Sequence, residues 1–245
     1  NGDIAVILGS GLGGFSKNLS SQYSIPFSQI SNYPISNVKG HDGEFIFGEI
    51  SGKEILVAKG RVHLYEGYSK NIVSCQVKIF KNLGIKNLII TNSAGSLRKK
   101  NSPGTFMIIN GHIDMTFQNS SDIPEVVFNP EFYCPKLISI ANQVSFEEKI
   151  RIESGIYCWT LGPSYETAEE IKFFRAFNGS AVGMSTVPEI EMGGKLGLRM
   201  LTISTLTNYA AGISKNFLSH NEVLINAEKS KRNFFKLLKN IIKRI

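Results

Sequence analysis

Apolar positions along this 245-residue chain alternate between two kinds of pattern. Short runs rich in Ile, Val, Leu and Phe, bounded by Gly, Ser, Asn or Pro, occur at Ile4–Leu8, Glu44–Ile50, 55–59, 88–91, 105–110, 155–160, 181–184 and 201–206, and they predict strands. Between several of them the apolar residues recur at helical spacing, over 71–83, 135–143, 167–177, 187–196 and from 221 to the end. Strands alternating with helices predict an α/β domain whose central sheet is largely parallel. Ser51-Gly52 joins two β-type runs as a hairpin turn, so part of the sheet is antiparallel and the sheet is mixed.

Two helix starts carry a capping-box pattern: Thr167 with Glu170, and Ser219 with Glu222. The second opens the terminal helix, where Leu224, Ala227, Phe234, Phe235, Leu238, Ile241 and Ile245 mark one apolar stripe. Its lysines then form a solvated face rather than a nucleic-acid surface. No repeat, low-complexity linker or composition break divides the chain, so residues 1–245 read as a single domain. The chain opens without Met and almost directly on an apolar run, and the expectation is that an N-terminal segment is missing from it.

Composition changes this picture little. With 42% hydrophobic and 19% charged residues, the chain is suited to burying a full core. Its formal charge of +7 is spread along the sequence, and a small anionic substrate accounts for it as well as a nucleic acid does. Cys75, Cys134 and Cys158 are odd in number and lack a CxxC pair, which argues against a disulfide framework or a zinc site. Reduced thiols, no signal segment and no apolar run near the roughly 18 residues of a membrane span give the expectation of a cytoplasmic protein with no membrane partner.

The chemistry-bearing residues gather where apolar runs end. Gly9-Ser10-Gly11-Leu12-Gly13-Gly14 follows the first run and reads either as a loop whose backbone N–H groups meet an anion or as a plain tight turn. It also spells GxGxxG, yet no acidic residue lies in 20–31 to hold a dinucleotide ribose, so a nicotinamide-dependent oxidoreductase is disfavoured. In Gly60-Arg61-Val62-His63-Leu64-Tyr65, an extended backbone would point Arg61, His63 and Tyr65 to one side, toward an oxyanion and a sugar hydroxyl. The other reading is a half-exposed strand end facing water. Thr91-Asn92-Ser93-Ala94-Gly95-Ser96 again sits at a strand end, with small residues that leave amides open to a ligand, although a turn explains it equally.

Tyr165 and Glu166 precede the capped helix, where Tyr165 would stack on a base and Glu166 accept ring N–H groups; a lone glutamate there also simply suits a helix N-terminus. A carboxylate acceptor prefers a 6-oxopurine, which carries N1–H, over adenine, which does not. At the end of two later runs, Ser185 can donate to an oxyanion, Met184 can pack under a sugar, and Asn208 can hold a purine N7/O6 edge, while capping or turn roles remain open for Ser185 and Asn208.

Taken together and in this order, GSGLGGF, GRVHLYEGY, TNSAGSL, GPSYETAEE, AVGMSTVPE and LTNYAAGIS resemble the trimeric, low-molecular-mass purine nucleoside phosphorylases over nearly the whole chain. The resemblance implies a phosphorylase/hydrolase-like fold with a mixed sheet partly closed into a barrel, a homotrimer, and reversible phosphorolysis of inosine or guanosine in purine salvage. It places phosphate contacts on Ser10, Arg61, His63, the Ser93 N–H and Ser185, with His41 near the phosphate. Base contacts fall on Tyr165, Glu166 and Asn208, and ribose contacts on Tyr65, Met184 and His220. Asn208, Glu166 and His63 are expected to carry the chemistry, with inorganic phosphate as co-substrate and no metal or organic cofactor.

Two positions depart from the family pattern. Tyr209 stands where animal members tend to carry a lysine, and the stretch 115–133 is short and dissimilar where members lend a phenylalanine to a neighbouring subunit's sugar pocket; Phe128 is the candidate for that role. The related methylthioadenosine phosphorylases are the nearest alternative, but they use an aspartate near the asparagine position and lack the histidine that His220 matches. A non-catalytic nucleoside-binding module would not need the converging phosphate groups.

Overall fold

The structure is a computed structural model that describes residues 2–36, 43–118 and 123–214, the backbone of 220–245 and the side chains of 230–245. Its centre is β1 (Ile4–Leu8), buried at every position and paired in parallel with β4 (Lys53–Lys59) on one side and β5 (Asn87–Ser96) on the other. A strand covered on both faces needs apolar residues at both parities, which is why its run is unbroken. Ile4, Val6 and Leu8 join one core, and Ala5 and Ile7 the opposite one.

On the far side of β4 the sheet turns antiparallel through β3 (Glu44–Ile50) and the edge strand β2 (Ser20–Pro26). Ser51 and Gly52 have φ of 55° and 75°, the left-handed pair that a two-residue hairpin of matching twist requires. β2 has no apolar run to announce it: it is mostly exposed, and its serines and terminal Pro26 suit an edge that must not recruit another strand.

Beyond β5 the sheet closes. β6 (Phe106–Asp114), β8 (Ile152–Trp159), β9 (Gly179–Gly183) and β10 (Arg199–Tyr209) complete a ring with β5, since β10 pairs both β5 and β6 and β9 pairs both β5 and β8. The two-residue β7 (Val126–Val127) adds to the outer edge of β6. The expected single α/β domain with a mixed, partly barrel-like sheet is the observed architecture.

Helices cover both faces. α1 (Lys70–Val73) and α2 (Cys75–Asn82) occupy the span where one helix is predicted; the break falls at Ser74, whose hydroxyl donates to the Lys70 carbonyl at 2.8 Å and competes with the backbone ladder. α2 and α5 (Val187–Lys195) bury Val77, Phe80, Val187 and Ile190 on one face. α3 (Pro135–Glu148) and α6 (His220–Arg244) bury Leu137, Ala141, Val144, Phe234, Leu237, Leu238 and Ile241 on the other. α4 (Ala168–Ala176) packs Ile171 and Phe174 in a third cluster with Cys158 of β8 and Val182 of β9, and its Thr167–Glu170 capping box is formed. Of the terminal helix's predicted stripe, Leu224 and Ala227 lie outside the described side chains, as does the Ser219–Glu222 pair.

Candidate active site

The ends of β1, β4, β5, β8, β9 and β10 surround one cavity of about 330 Å³. Gly9 makes the convergence possible: a Cβ there would lie 2.6 Å from the Asn92 Cα, so only glycine lets the end of β1 touch β5. Its own N–H is committed to the Thr91 hydroxyl at 3.1 Å rather than to an anion. The Ser93 hydroxyl donates to the Ser10 carbonyl at 2.9 Å and sews the glycine loop to β5. Ser10 and Ser93 both face the cavity.

Arg61, His63 and Tyr65 line the same cavity, but not by strand alternation, because β4 ends at Lys59 and Tyr65 belongs to a 3₁₀ turn, Leu64–Glu66. Both terminal nitrogens of the Arg61 guanidinium are anchored: Nη1 donates to Thr186 Oγ1 at 2.8 Å, Glu189 Oε2 at 3.1 Å and Ser185 Oγ at 3.2 Å, and Nη2 to the Thr91 carbonyl at 2.6 Å, while the buried Nε meets no acceptor among the described residues. Glu189 is in turn held by Gln76 Nε2 at 2.6 Å from Oε1. Burial pushes the Glu189 carboxyl up, and Arg61 and Gln76 oppose that shift.

His63 stacks on Tyr65 with ring centroids 4.8 Å apart, and its Nδ1 lies 3.1 Å from Glu66 Oε1. Burial, then the Arg61 charge, lower its imidazole from 6.5 to about 4 against the pull of Glu66. The ring is therefore neutral near pH 7. With the Nδ1–H given to the carboxylate, Nε2 is the acceptor. Burial and the Glu66 charge push the Tyr65 phenol up to about 12.

The remaining wall is built differently. Glu166 Oε1 accepts the Thr160 hydroxyl at 2.7 Å, and Thr160 N–H donates to the Gly183 carbonyl at 2.9 Å, which ties the carboxylate to the end of β9. Burial pushes the Glu166 carboxyl up, with Thr160 opposing. Tyr165 sits beside it at the mouth, 45% exposed, and Met184 lines the wall as well. Opposite, the pairing of β10 with β5 slips between Leu206 and Asn208, so Thr207 is the extra residue of a bulge that re-aims Asn208. The Asn208 Oδ1 accepts the Thr207 hydroxyl at 3.0 Å and its Nδ2 donates to the Tyr209 carbonyl at 3.0 Å.

Ser10, Arg61, His63, Tyr65, Ser93, Tyr165, Glu166, Met184, Ser185 and Asn208 thus meet in one cavity. Phe128 does not: it is 58% exposed and packs on Gly111, away from the pocket of its own chain. His41 and the side chain of His220 lie outside the described residues. Tyr209 does not line the cavity; its hydroxyl donates to the Lys99 carbonyl at 3.1 Å. Sequence reasoning missed Asn92, Thr160, Thr186, Glu189, Gln76 and Glu66. In the sequence Glu189, directly after Pro188, reads as an ordinary acid in the first turn of a helix, and nothing local marks it as a partner of Arg61.

One group of groups, Arg61, Ser185, Ser93 and Ser10, offers donors and positive charge to an oxyanion. A second, Glu166 and Asn208, offers an acceptor and an amide to a heterocycle, with the Tyr65 ring and the Met184 thioether completing the wall. The sequence profile of the Phosphorylase superfamily matches residues 3–243. Purine nucleoside phosphorylase 1 of Geobacillus stearothermophilus is 39% identical over 98% of this chain and 90% of its own. Purine nucleoside phosphorylase of Schistosoma mansoni superposes with a TM-score of 0.88 in its complex with inosine, at 29% identity over 100% of this chain and 90% of that one. Its adenosine complex gives 0.89 at 30% identity, over 100% and 91%.

Proposed function

The chain belongs to the phosphorylase superfamily and, within it, to the purine nucleoside phosphorylases, and from that premise we propose how its pocket cleaves a 6-oxopurine nucleoside such as inosine or guanosine with inorganic phosphate. One observation carries this reading: the oxyanion donors and the Glu166–Asn208 pair open on the same cavity.

Cleavage at C1′ passes through an oxocarbenium-like state, which needs negative charge beside the sugar and relief of negative charge on the departing base. Phosphate held by Arg61, Ser10, Ser185 and the Ser93 N–H supplies the first, with the neutral His63 accepting a hydrogen bond at Nε2 from a phosphate hydroxyl that keeps its proton. A phosphate oxygen bonds to C1′ as the bond to N9 breaks, and the electron pair leaves with the purine. Asn208 donates to N7 as that charge develops, and Glu166 accepts N1–H. Attack opposite the base inverts C1′, giving α-ribose 1-phosphate. Nothing in this displacement is oxidised or reduced, and the anion is itself the nucleophile, so neither metal nor organic cofactor has a step to perform.

Glu166 is also the ground for preferring 6-oxopurines, since adenine presents a bare acceptor at N1. The enzyme is assigned to a cytoplasmic homotrimer, with Phe128 reaching the sugar pocket of a neighbouring subunit and His41 and His220 completing the phosphate and 5′-hydroxyl contacts. Among the described residues no helix is long and apolar enough to cross a membrane. The test is hypoxanthine release from inosine with and without phosphate, repeated with guanosine, xanthosine, adenosine and methylthioadenosine. Release from inosine and guanosine that depends on phosphate is expected. Release without phosphate, or a preference for methylthioadenosine, would sink the proposal.

A further inference from the structure

Thr186 sits behind the pocket wall, wholly buried, and its backbone is strained. Its φ of 84° and ψ of −44°, with the Val187 N–H donating to the Ser185 carbonyl at 3.0 Å, make a γ-turn of the rare positive-φ hand. A β-branched residue is a poor choice for that conformation, which glycine would take at no steric cost. Helix capping does not explain the choice: Thr186 is the N-cap of α5, yet its side chain makes no capping bond.

Its hydroxyl is spent elsewhere. Thr186 Oγ1 accepts Arg61 Nη1 at 2.8 Å and Asn92 Nδ2 at 2.9 Å, and lies 3.0 Å from Ser185 Oγ. Two N–H donors fill its two lone pairs, so its single proton goes to Ser185. Ser185 then accepts from Thr186 and from Arg61 Nη1 at 3.2 Å, and what it has left to offer is its own proton. Arg61, Asn92 and Ser185 all line the cavity.

We propose that Thr186 is a positioning residue of the phosphate subsite: the strained turn is kept because it puts one hydroxyl where it aims Arg61 and Asn92 together and makes Ser185 a fixed donor to the anion. This rests on the assignment of phosphate to that end of the pocket. Backbone strain retained at a ligand clamp is the usual setting for such outliers.

The experiment compares Thr186→Val, which keeps the branched shape and removes the hydroxyl, with Thr186→Ser, which keeps the hydroxyl. Phosphorolysis of inosine is followed with phosphate varied at saturating inosine and with inosine varied at saturating phosphate. Thr186→Val is expected to raise KM for phosphate roughly tenfold, as loss of an aimed hydrogen bond to a charged ligand does, and to leave KM for inosine within about twofold. Thr186→Ser should return KM for phosphate to within about threefold of the parent enzyme. A Val variant with unchanged KM for phosphate overturns the proposal, and so does a rise in both KM values that Ser fails to rescue. If the Val variant does not fold, Thr186→Gly, which the backbone accepts without strain, decides on the same readout. A parent enzyme that releases no hypoxanthine in response to phosphate would sink the functional assignment itself; an active parent with an unaffected Val variant sinks only the role of Thr186.

Discussion

Arg61 and Glu189 form an ion pair closed to solvent, with Nη1 3.1 Å from Oε2 and side chains 1% and 0% exposed. The partners are 128 positions apart in the chain, so this contact docks the loop after β4 onto the start of α5. A buried pair adds little net stability when compared with apolar groups of the same shape, but removing one member strands the other charge. Glu189→Ala is therefore expected to cost about 3–5 kcal/mol in urea denaturation. Phosphate in the buffer should restore part of that loss, because an anion bound by the folded state alone stabilises it by mass action and here replaces the missing negative charge. Equal stabilities of variant and parent would show that the pair does not hold this junction.

His63 gives a pH dependence with a definite sign. Its imidazole is lowered from 6.5 to about 4 by burial first and the Arg61 charge second. Between those values the unfolded chain takes up the proton and the folded one does not, so the stability present above pH 6.5 is lost as pH falls and the loss stops below about pH 4. Its full size is about 3 kcal/mol at 1.36 kcal/mol per unit. His63→Gln should flatten the stability curve in that window. Proton NMR of the ring should likewise show no titration of His63 near 6.5, and a midpoint there would contradict the neutral, acceptor role of Nε2.

How much of this was legible in the sequence depends on where each residue's environment is decided. The strand runs are local, and their polar ends announced most of the cavity wall, from Ser10 to Asn208. β2 was silent because it is an exposed edge with no apolar face to bury. The second half of β5, Asn92 to Ser96, reads as a turn in isolation and stays in the sheet only because β10 and β9 pair with it. Glu189, Gln76 and Thr186 were unreadable for the same reason: their partners lie 113 to 128 positions away. Arg61, His63 and Tyr65 were rightly grouped for a wrong reason, since a 3₁₀ turn and not strand alternation brings Tyr65 to the cavity.

Gly95 bears on the proposed base subsite through the Asn208 amide. A Cβ there would stand 3.2 Å from Asn208 Nδ2 and 3.4 Å from Val182 Cγ1, tighter than ordinary contact. The side chain able to yield is the Asn208 amide, and a shift of a few tenths of an ångström misaligns its donor. Gly95→Ala should lower kcat for inosine by roughly tenfold, as small misplacements of an aimed group do, while thermal melting moves little. An unaltered kcat would mean that the amide tolerates the displacement or is not aimed at the base.

Asn208 is the residue on which the chemical step is expected to depend most. The bulge at Thr207 turns it inward, where it is 5% exposed. Its Oδ1 is taken by the Thr207 hydroxyl and one Nδ2 proton by the Tyr209 carbonyl, which fixes the amide plane and leaves the second proton for the purine contact proposed above. In the proposed mechanism that bond is weak to a neutral N7 and strengthens as the glycosidic electrons move onto the ring. A contact that gains strength only in the transition state shows in kcat and hardly in ground-state binding. Asn208→Ala should lower kcat for inosine about a hundredfold or more, with KM for phosphate unchanged because the anion donors are on other strands. Single-turnover measurement places the loss in the chemical step rather than in product release. A variant that turns over inosine at the parent rate would remove Asn208 from the mechanism and leave the leaving group's charge without its donor.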